Sequence, residues 1–205
     1  MPSPNEVYIK CDELDNIPKP NKENWLYEIE LVKKELSLNA KVLQVGCMDG
    51  TRIMAILKGR PDLVITGLDM ESGMIERSKK NLDKAGLKVQ FIHADITKPL
   101  LDSGFDYVIC LNNTLGYIPE EQKAIENMKK IGKKVILSVY GEKFTNELAQ
   151  AYFKSINLQL VNIEKNIFHT KEFVNVKRYT REEVDNWKGK IIETPIGYFC
   201  IINKK

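Results

Sequence analysis

Apolar positions along the chain fall into two rhythms. Residues 41–45, 62–69, 88–96, 105–111 and 134–140 are short runs rich in Val, Ile and Leu, bounded by polar or glycine residues, and they read as buried strands. Between them the apolar residues return at helical spacing. Trp25, Ile29, Val32 and Leu36 stand at i, i+4, i+7 and i+11 on one face of a helix whose N-cap is expected at Asn21. Met74, Ile75, Ser78 and Leu82 make a second such face, a lysine-rich helix is expected from Pro119 to Lys130, and another helix from about Lys143 to Ser155. Strands that alternate with helices in this way predict a parallel sheet covered on both faces.

Past Tyr140 the rhythm changes. Residues 158–163 and 173–177 read as an antiparallel pair, and Thr180-Arg181-Glu182-Glu183 carries a capping-box signature for a short helix through Trp187. Residues 190–194 and 197–203 close the chain as two strands joined at Pro195-Ile196-Gly197. The first twenty residues, with Pro2, Pro4, Pro18 and Pro20, read as irregular. A single domain over 1–205 is expected, with residues 1–40 as an N-terminal cap and the strand pair inserted at about 156–178.

The chemistry gathers where strands end. Lys41-Val42-Leu43-Gln44-Val45-Gly46-Cys47-Met48-Asp49-Gly50 is a strand running into a glycine turn, followed by a helix. Glycine admits φ > 0 and lets a ligand approach the main chain, and the helix aims free N–H groups at the turn. That describes the floor of a nucleotide-like site. The dinucleotide fingerprint is poorly met, because Met48 stands where its middle glycine belongs. Asp69 closes the second strand 23 residues after Gly46, near the ~20 expected for an acid that accepts from ribose hydroxyls. Asp95 follows the third strand, where it could accept from an exocyclic amine.

This order of motifs resembles the class I S-adenosylmethionine-dependent methyltransferases: strand and G-x-x-x-G turn, strand and Asp69-Met70, strand and Asp95-Ile96, then Phe105-Asp106-Tyr107-Val108-Ile109. The resemblance implies a Rossmann-like three-layer α/β sandwich with a mostly parallel seven-stranded sheet and an antiparallel last strand at 197–203. It implies S-adenosyl-L-methionine as cofactor, with Gly46, Cys47, Met48 and Gly50 around its methionine and ribose. Asp69 would hold the ribose hydroxyls, Met70 and Met74 would border the adenine, and Asp95 with Ile96 would meet its amine and ring. Leu111 and Asn112 would lie at the sulfonium end. The chain departs from the family pattern at Gln44, where an acid is usual, and at Met48, where glycine is usual.

The implied activity is methyl transfer by in-line displacement to a small-molecule acceptor, a reaction that needs orientation and exclusion of water more than a catalytic side chain. Asn113, Tyr117 and Tyr140 are the candidates for acceptor contact, and each could equally be a turn or packing residue. His93 reads as a packed strand residue. RNA or protein methylation, and a binding module without turnover, remain alternatives.

Composition narrows the partners. Of 205 residues 43% are hydrophobic and 29% charged, and 31 basic against 28 acidic residues leave a net charge of +3. That balance gives no footprint for nucleic acid, and doublets such as Lys79-Lys80 read as solvated helix faces. No apolar run reaches membrane-spanning length, and the N-terminus lacks a signal pattern. Cys11, Cys47, Cys110 and Cys200 are dispersed and only His93 and His169 accompany them, which predicts free thiols, a cytoplasmic setting and no metal site. The sequence carries no signal for oligomeric state.

Overall fold

The structure is a computed structural model that describes residues 15–100, 104–172 and 174–204. Helix α1 (Lys19–Glu35) leads into β1 (Lys41–Val45), α2 (Thr51–Gly59), β2 (Val64–Asp69), α3 (Ser72–Lys84), β3 (Gln90–His93) and β4 (Phe105–Cys110). A 3₁₀ turn (Thr114–Tyr117) then precedes α4 (Glu121–Ile131), β5 (Gly132–Tyr140) and α5 (Asn146–Ser155). The chain closes through β6 (Leu160–Glu164), β7 (Ile167–Thr170), β8 (Asn175–Lys177), α6 (Arg181–Asp185), β9 (Lys190–Glu193) and β10 (Gly197–Asn203).

Seven strands form one sheet in the order β3-β2-β1-β4-β5-β10-β9. β1 pairs in parallel with both β2 and β4, and β4 in parallel with β5. β10 runs antiparallel between β5 and β9, as expected for the last strand. The strand order reverses at β1, so β1 and β4 part at their C-terminal ends and leave a crevice there.

The period-2 alternation of the strands splits the core in two. Val42, Tyr107, Ile109, Ile136, Phe199 and Ile201 face α1, α2 and Leu82 of α3, whereas Leu43, Val45, Val108, Cys110 and Leu137 face α4 and α6. Each fully buried Leu, Ile or Val on these faces contributes roughly 1.5–3 kcal/mol. Trp25, on the inner face of α1, belongs to the first layer, with the Arg52 guanidinium 5.6 Å from its ring centre.

Two local expectations change. The N-cap of α1 is Pro18 rather than Asn21, and it makes no side-chain cap bond. Pro20 in the first turn fixes a helical φ and needs no hydrogen bond there, so the helix starts early and turns Asn21 inward. The inserted strands number three, not two. β6 pairs with β7 and β7 with β8, so the two segments expected to pair directly are separated by Ile167–Thr170. Phe168 on that middle strand is fully buried and its aromatic anchorage outweighs the short hairpin on either side. Asn157 and Lys165, both at positive φ, supply turns that the sequence did not advertise with glycine.

Candidate active site

The crevice at the strand ends opens into a cavity of about 420 Å³, within the range of small-ligand pockets. Its first wall comes from three consecutive strand ends. Gly46 (φ 66°) turns the chain out of β1, and Cys47 N–H donates to Leu68 O across 3.0 Å, stitching the turn to β2. Met48 then takes φ 49°, so a methionine adopts the left-handed conformation that glycine adopts freely, and its side chain lines the cavity.

Asp69 sits at the centre of this wall. Its Oδ2 accepts from Met48 N–H at 2.9 Å and its Oδ1 from Glu71 N–H at 3.1 Å. Each oxygen keeps a lone pair for a further donor, which suits a vicinal diol. Burial raises this carboxyl above its ordinary value, against the backbone donors of Glu71, Met48 and Met70. Asp95 lies one strand over. Burial pushes its carboxyl up, but the Thr97 N–H and hydroxyl, both 2.8 Å from Oδ1, hold it below the usual carboxylate value. Leu68, Met70, Met74 and Ile96 add an apolar lining between the two acids.

The second wall is assembled from remote segments. Asn112, Thr114, Tyr117, Ile118, Pro119 and Glu120 follow β4, and Tyr152 reaches in from α5. Asn112 (φ 49°) and Asn113 (φ 60°) are both left-handed, a conformation asparagine tolerates better than most residues. Behind them lies a buried carboxylate that the sequence reading did not single out. Glu28 of α1 accepts from Asn112 N–H at 3.1 Å through Oε2, and from the Asn24 amide at 2.6 Å and the Ser138 hydroxyl at 2.5 Å through Oε1.

The residues expected at the site divide accordingly. Gly46, Met48, Asp69, Met70, Met74, Asp95, Ile96, Asn112 and Tyr117 line the cavity. Cys47 and Leu111 are buried in the core behind it, and burial pushes the Cys47 thiol up to about 12. Gly50 (φ 83°) serves packing instead, because a Cβ there would stand 2.5 Å from Ser78 Oγ and 3.0 Å from Leu82 of α3. Asn113 and Tyr140 are not on the cavity wall. Asn113 is fully buried and ties three segments together, its Oδ1 accepting from Tyr140 N–H at 3.0 Å and its amide donating to Lys177 O at 2.9 Å. The Tyr140 hydroxyl donates to Asn112 Oδ1 at 3.3 Å, so it braces the wall from behind. His93 is exposed at the end of β3, with Nε2 2.9 Å from Met70 O. Gln44 is buried, and its Oε1 has no hydrogen-bond partner among the described residues.

Tyr152, Thr97 and Glu28 went unnoticed in the sequence. Thr97 carried a usable signal, since a Thr two residues after Asp95 can satisfy that carboxylate through both its N–H and its hydroxyl. Tyr152 and Glu28 sit on helices far from any motif. Of the expected N-terminal cap, residues 1–14 lie outside the described residues, and none of the described residues 158–178 of the inserted strands lines the cavity. The β6–β8 sheet instead packs behind the 3₁₀ turn and on the aromatic cluster of Tyr140, Phe144, Tyr152, Phe153 and Phe168. No helix among the described residues is long and apolar enough to cross a membrane.

The methyltransferase domain family matches residues 36–183. A carboxy-S-adenosyl-L-methionine synthase of Campylobacter concisus is 35% identical over 95 residues, which are 46% of this chain and 40% of that protein. The corresponding protein of Campylobacter fetus subsp. fetus is 31% identical over 149 residues, covering 70% of this chain and 59% of its own length. The chain thus spans roughly half the length of the curated relatives it matches. Among solved structures, a protein from Pyrococcus horikoshii OT3 superimposes with a TM-score of 0.66 at 19% identity, over 91% of this chain and 94% of that one. The S-adenosylmethionine-bound amino pentose methyltransferase from Micromonospora echinaspora gives 0.62 at 16% identity, over 88% and 92%. At such identities the likeness speaks for the fold.

Proposed function

The chain belongs to the methyltransferase domain family, and from that premise we propose that it transfers a methyl group from S-adenosyl-L-methionine to a small-molecule acceptor. The observation that carries this reading is the pairing of Asp69 and Asp95 on neighbouring strand ends, with an apolar strip between them and the Gly46 turn alongside. Two acceptor groups flanking an apolar slot fit a ribose diol and an adenine amine with its ring, so the residues present match the cofactor. The fold of the solved relatives agrees, and one of them holds S-adenosylmethionine.

When bound, the cofactor supplies an electrophilic methyl on a sulfonium, already a good leaving group. The chain's own part is to hold and to exclude. Asp69 would hold the ribose hydroxyls, Ile96 and Met70 would flank the adenine with Asp95 at its amine, and Gly46, Met48 and Asn112 line the remaining end of the cavity. Tyr117 and Tyr152 contribute the amphipathic surface against which an acceptor would be oriented in line with the methyl. Neither Cys47 nor Cys110 can serve as a nucleophile at neutral pH, because burial holds both thiols near 12. A ubiquinone biosynthesis O-methyltransferase of Coxiella burnetii, 27% identical over 121 residues, is by its name a small-molecule enzyme, which supports the same acceptor class.

Calorimetry tests the reading. The native protein is expected to bind S-adenosylmethionine and S-adenosylhomocysteine but not NADH, and Asp69→Ala to lose on the order of 1–3 kcal/mol of affinity for both, the cost of leaving ribose hydroxyls unpaired. Equal binding by the variant, or preferred binding of NADH, would overturn it. RNA retained at physiological salt with a steep salt slope would redirect the acceptor class.

A further inference from the structure

Glu28 is the buried titratable group that the reading above leaves unused. It lies on α1, 1% exposed, inside the layer that packs α1 on the sheet. Its surroundings are polar by construction. Asn24 on the same helix, Ser138 on β5 and the Asn112 backbone on the cavity wall all donate to its carboxylate. Arg52 on α2 acts on it electrostatically, and Cys110 on β4 is the other titratable group it influences. Three donors from three elements form a seat for a carboxylate rather than for an apolar or amide side chain.

Its position gives that charge a use. The peptide whose N–H it accepts belongs to Asn112, and Asn112 lines the cavity. The charge therefore stands one hydrogen bond behind the wall, in a region where little water intervenes and electrostatic interactions are weakly screened. Asp69 and Asp95 occupy the end of the cavity that suits ribose and adenine, so Asn112 stands towards the other end, where the sulfonium of an S-adenosylmethionine ligand belongs. We propose that Glu28 is a positioning and charge-selecting residue, whose carboxylate holds the Asn112 wall in its left-handed turn and biases the site towards the cationic sulfonium cofactor over its neutral thioether product. The proposal rests on reading the cavity as an S-adenosylmethionine site.

Two consequences follow from the chemistry. A substrate preferred by charge displaces a product that has lost that charge, so the same carboxylate favours product exchange after each transfer. Burial holds the Glu28 carboxyl above its ordinary value, against the donors Ser138, Asn24 and Asn112 and the charge of Arg52, so a cation at the Asn112 wall is what favours its ionised form.

The experiment compares the affinities of S-adenosylmethionine and S-adenosylhomocysteine for the native protein, Glu28→Gln and Glu28→Asp by calorimetry, with folding checked by thermal melting. Glu28→Gln keeps the size of the side chain, removes its charge and leaves one of the donors unpaired. It is expected to weaken both ligands through the loosened wall, and S-adenosylmethionine about tenfold more than the product, as for a unit charge acting across a partly screened distance. Equal weakening of both ligands overturns the proposal, because a purely structural clasp would affect both alike. Glu28→Asp retains the charge but draws it back from Asn112 N–H, so both ligands should weaken while their ratio stays within about twofold of native. A collapsed ratio in that variant overturns the proposal as well, and this arm decides the matter if Glu28→Gln does not fold. Native protein that binds neither ligand would overturn the cofactor reading itself, whereas native binding with equal losses removes only the role of Glu28.

Discussion

The two walls of the cavity are built in opposite ways. The wall bearing Gly46, Met48, Asp69, Met70, Asp95 and Ile96 comes from the ends of three adjacent parallel strands, and every side chain on it lies at or within a few residues of a strand end. The facing wall joins Asn112 to Tyr117 with Tyr152 from α5, and it is held from behind by Glu28, Tyr140 and Lys177. Its contacts span large sequence separations, 84 residues for Glu28 to Asn112 and 64 for Asn113 to Lys177. One wall is a property of local turns and the other of tertiary assembly. The difference teaches that a wall made of strand ends can be read from a few motif residues, whereas the facing wall depends on how distant segments pack.

Substitutions should separate the walls, and the largest effect belongs to the remote one. Phe168 on β7 is fully buried with its ring 5.6 Å from Phe144 and 5.7 Å from Phe153, and the Arg178 guanidinium lies 5.2 Å from its centre. Phe168→Ala is expected to lower stability by roughly 3–5 kcal/mol through the cavity it leaves, measured by chemical denaturation. Hydrogen exchange should place the loosening in β6–β8 and the 3₁₀ turn, with β1 to β3 protected as in the native protein. Loosening spread evenly over both regions would show that the walls are one cooperative unit.

A smaller change strikes the seam between them. At Gly46 a Cβ would stand 2.4 Å from Thr114 Cγ2, and the residue holds φ 66°. Gly46→Ala is expected to cost about 1–2 kcal/mol from the backbone conformation alone, and more from the overlap with Thr114. Adding Thr114→Ser should recover part of the loss by removing the methyl group that is struck. A double variant no more stable than Gly46→Ala would place the whole cost in the backbone.

The mildest test concerns the far end of α1, the helix that delivers Glu28. Arg60 donates to Lys33 O, Leu36 O and Ser37 O, capping the carbonyl end of that helix, while Asp62 holds the guanidinium at 2.7 Å. The Arg60 side chain and the Asn39 N–H keep the Asp62 carboxyl well below its ordinary value. A lowered carboxyl stabilises the fold above the unfolded value, near pH 4, and that contribution is lost as pH falls towards the folded value. Asp62→Asn should therefore flatten the acid limb of the stability curve between about pH 4 and pH 2 and leave the neutral region nearly parallel to native. An unchanged acid limb would show that other carboxylates, Asp106 with Lys133 among them, govern it.

How much of this was legible beforehand follows the same division. The five parallel strands and the antiparallel β10 could be read because buried runs, glycine turns and helical periodicity are local signals, each fixed by a few neighbouring residues. Asp69 and Asp95 were legible for the same reason: both close a strand, and a parallel sheet brings strand ends to one rim whatever the packing around them. Asn113 and Tyr140 were expected at the acceptor surface and stand buried behind the cavity wall, because local reasoning places them at the rim but cannot say which way their side chains turn. The chain's own residues thus determined the sheet, the crevice and the strand-end wall, since these need only hydrogen-bond periodicity and burial along short stretches. Only the tertiary structure decided that α1 carries a carboxylate to the back of Asn112, that α5 offers Tyr152, and that three short strands brace the turn between them. Those arrangements arise from long-range packing, whose geometry is set by the shapes of many side chains at once and is written in no single stretch of sequence.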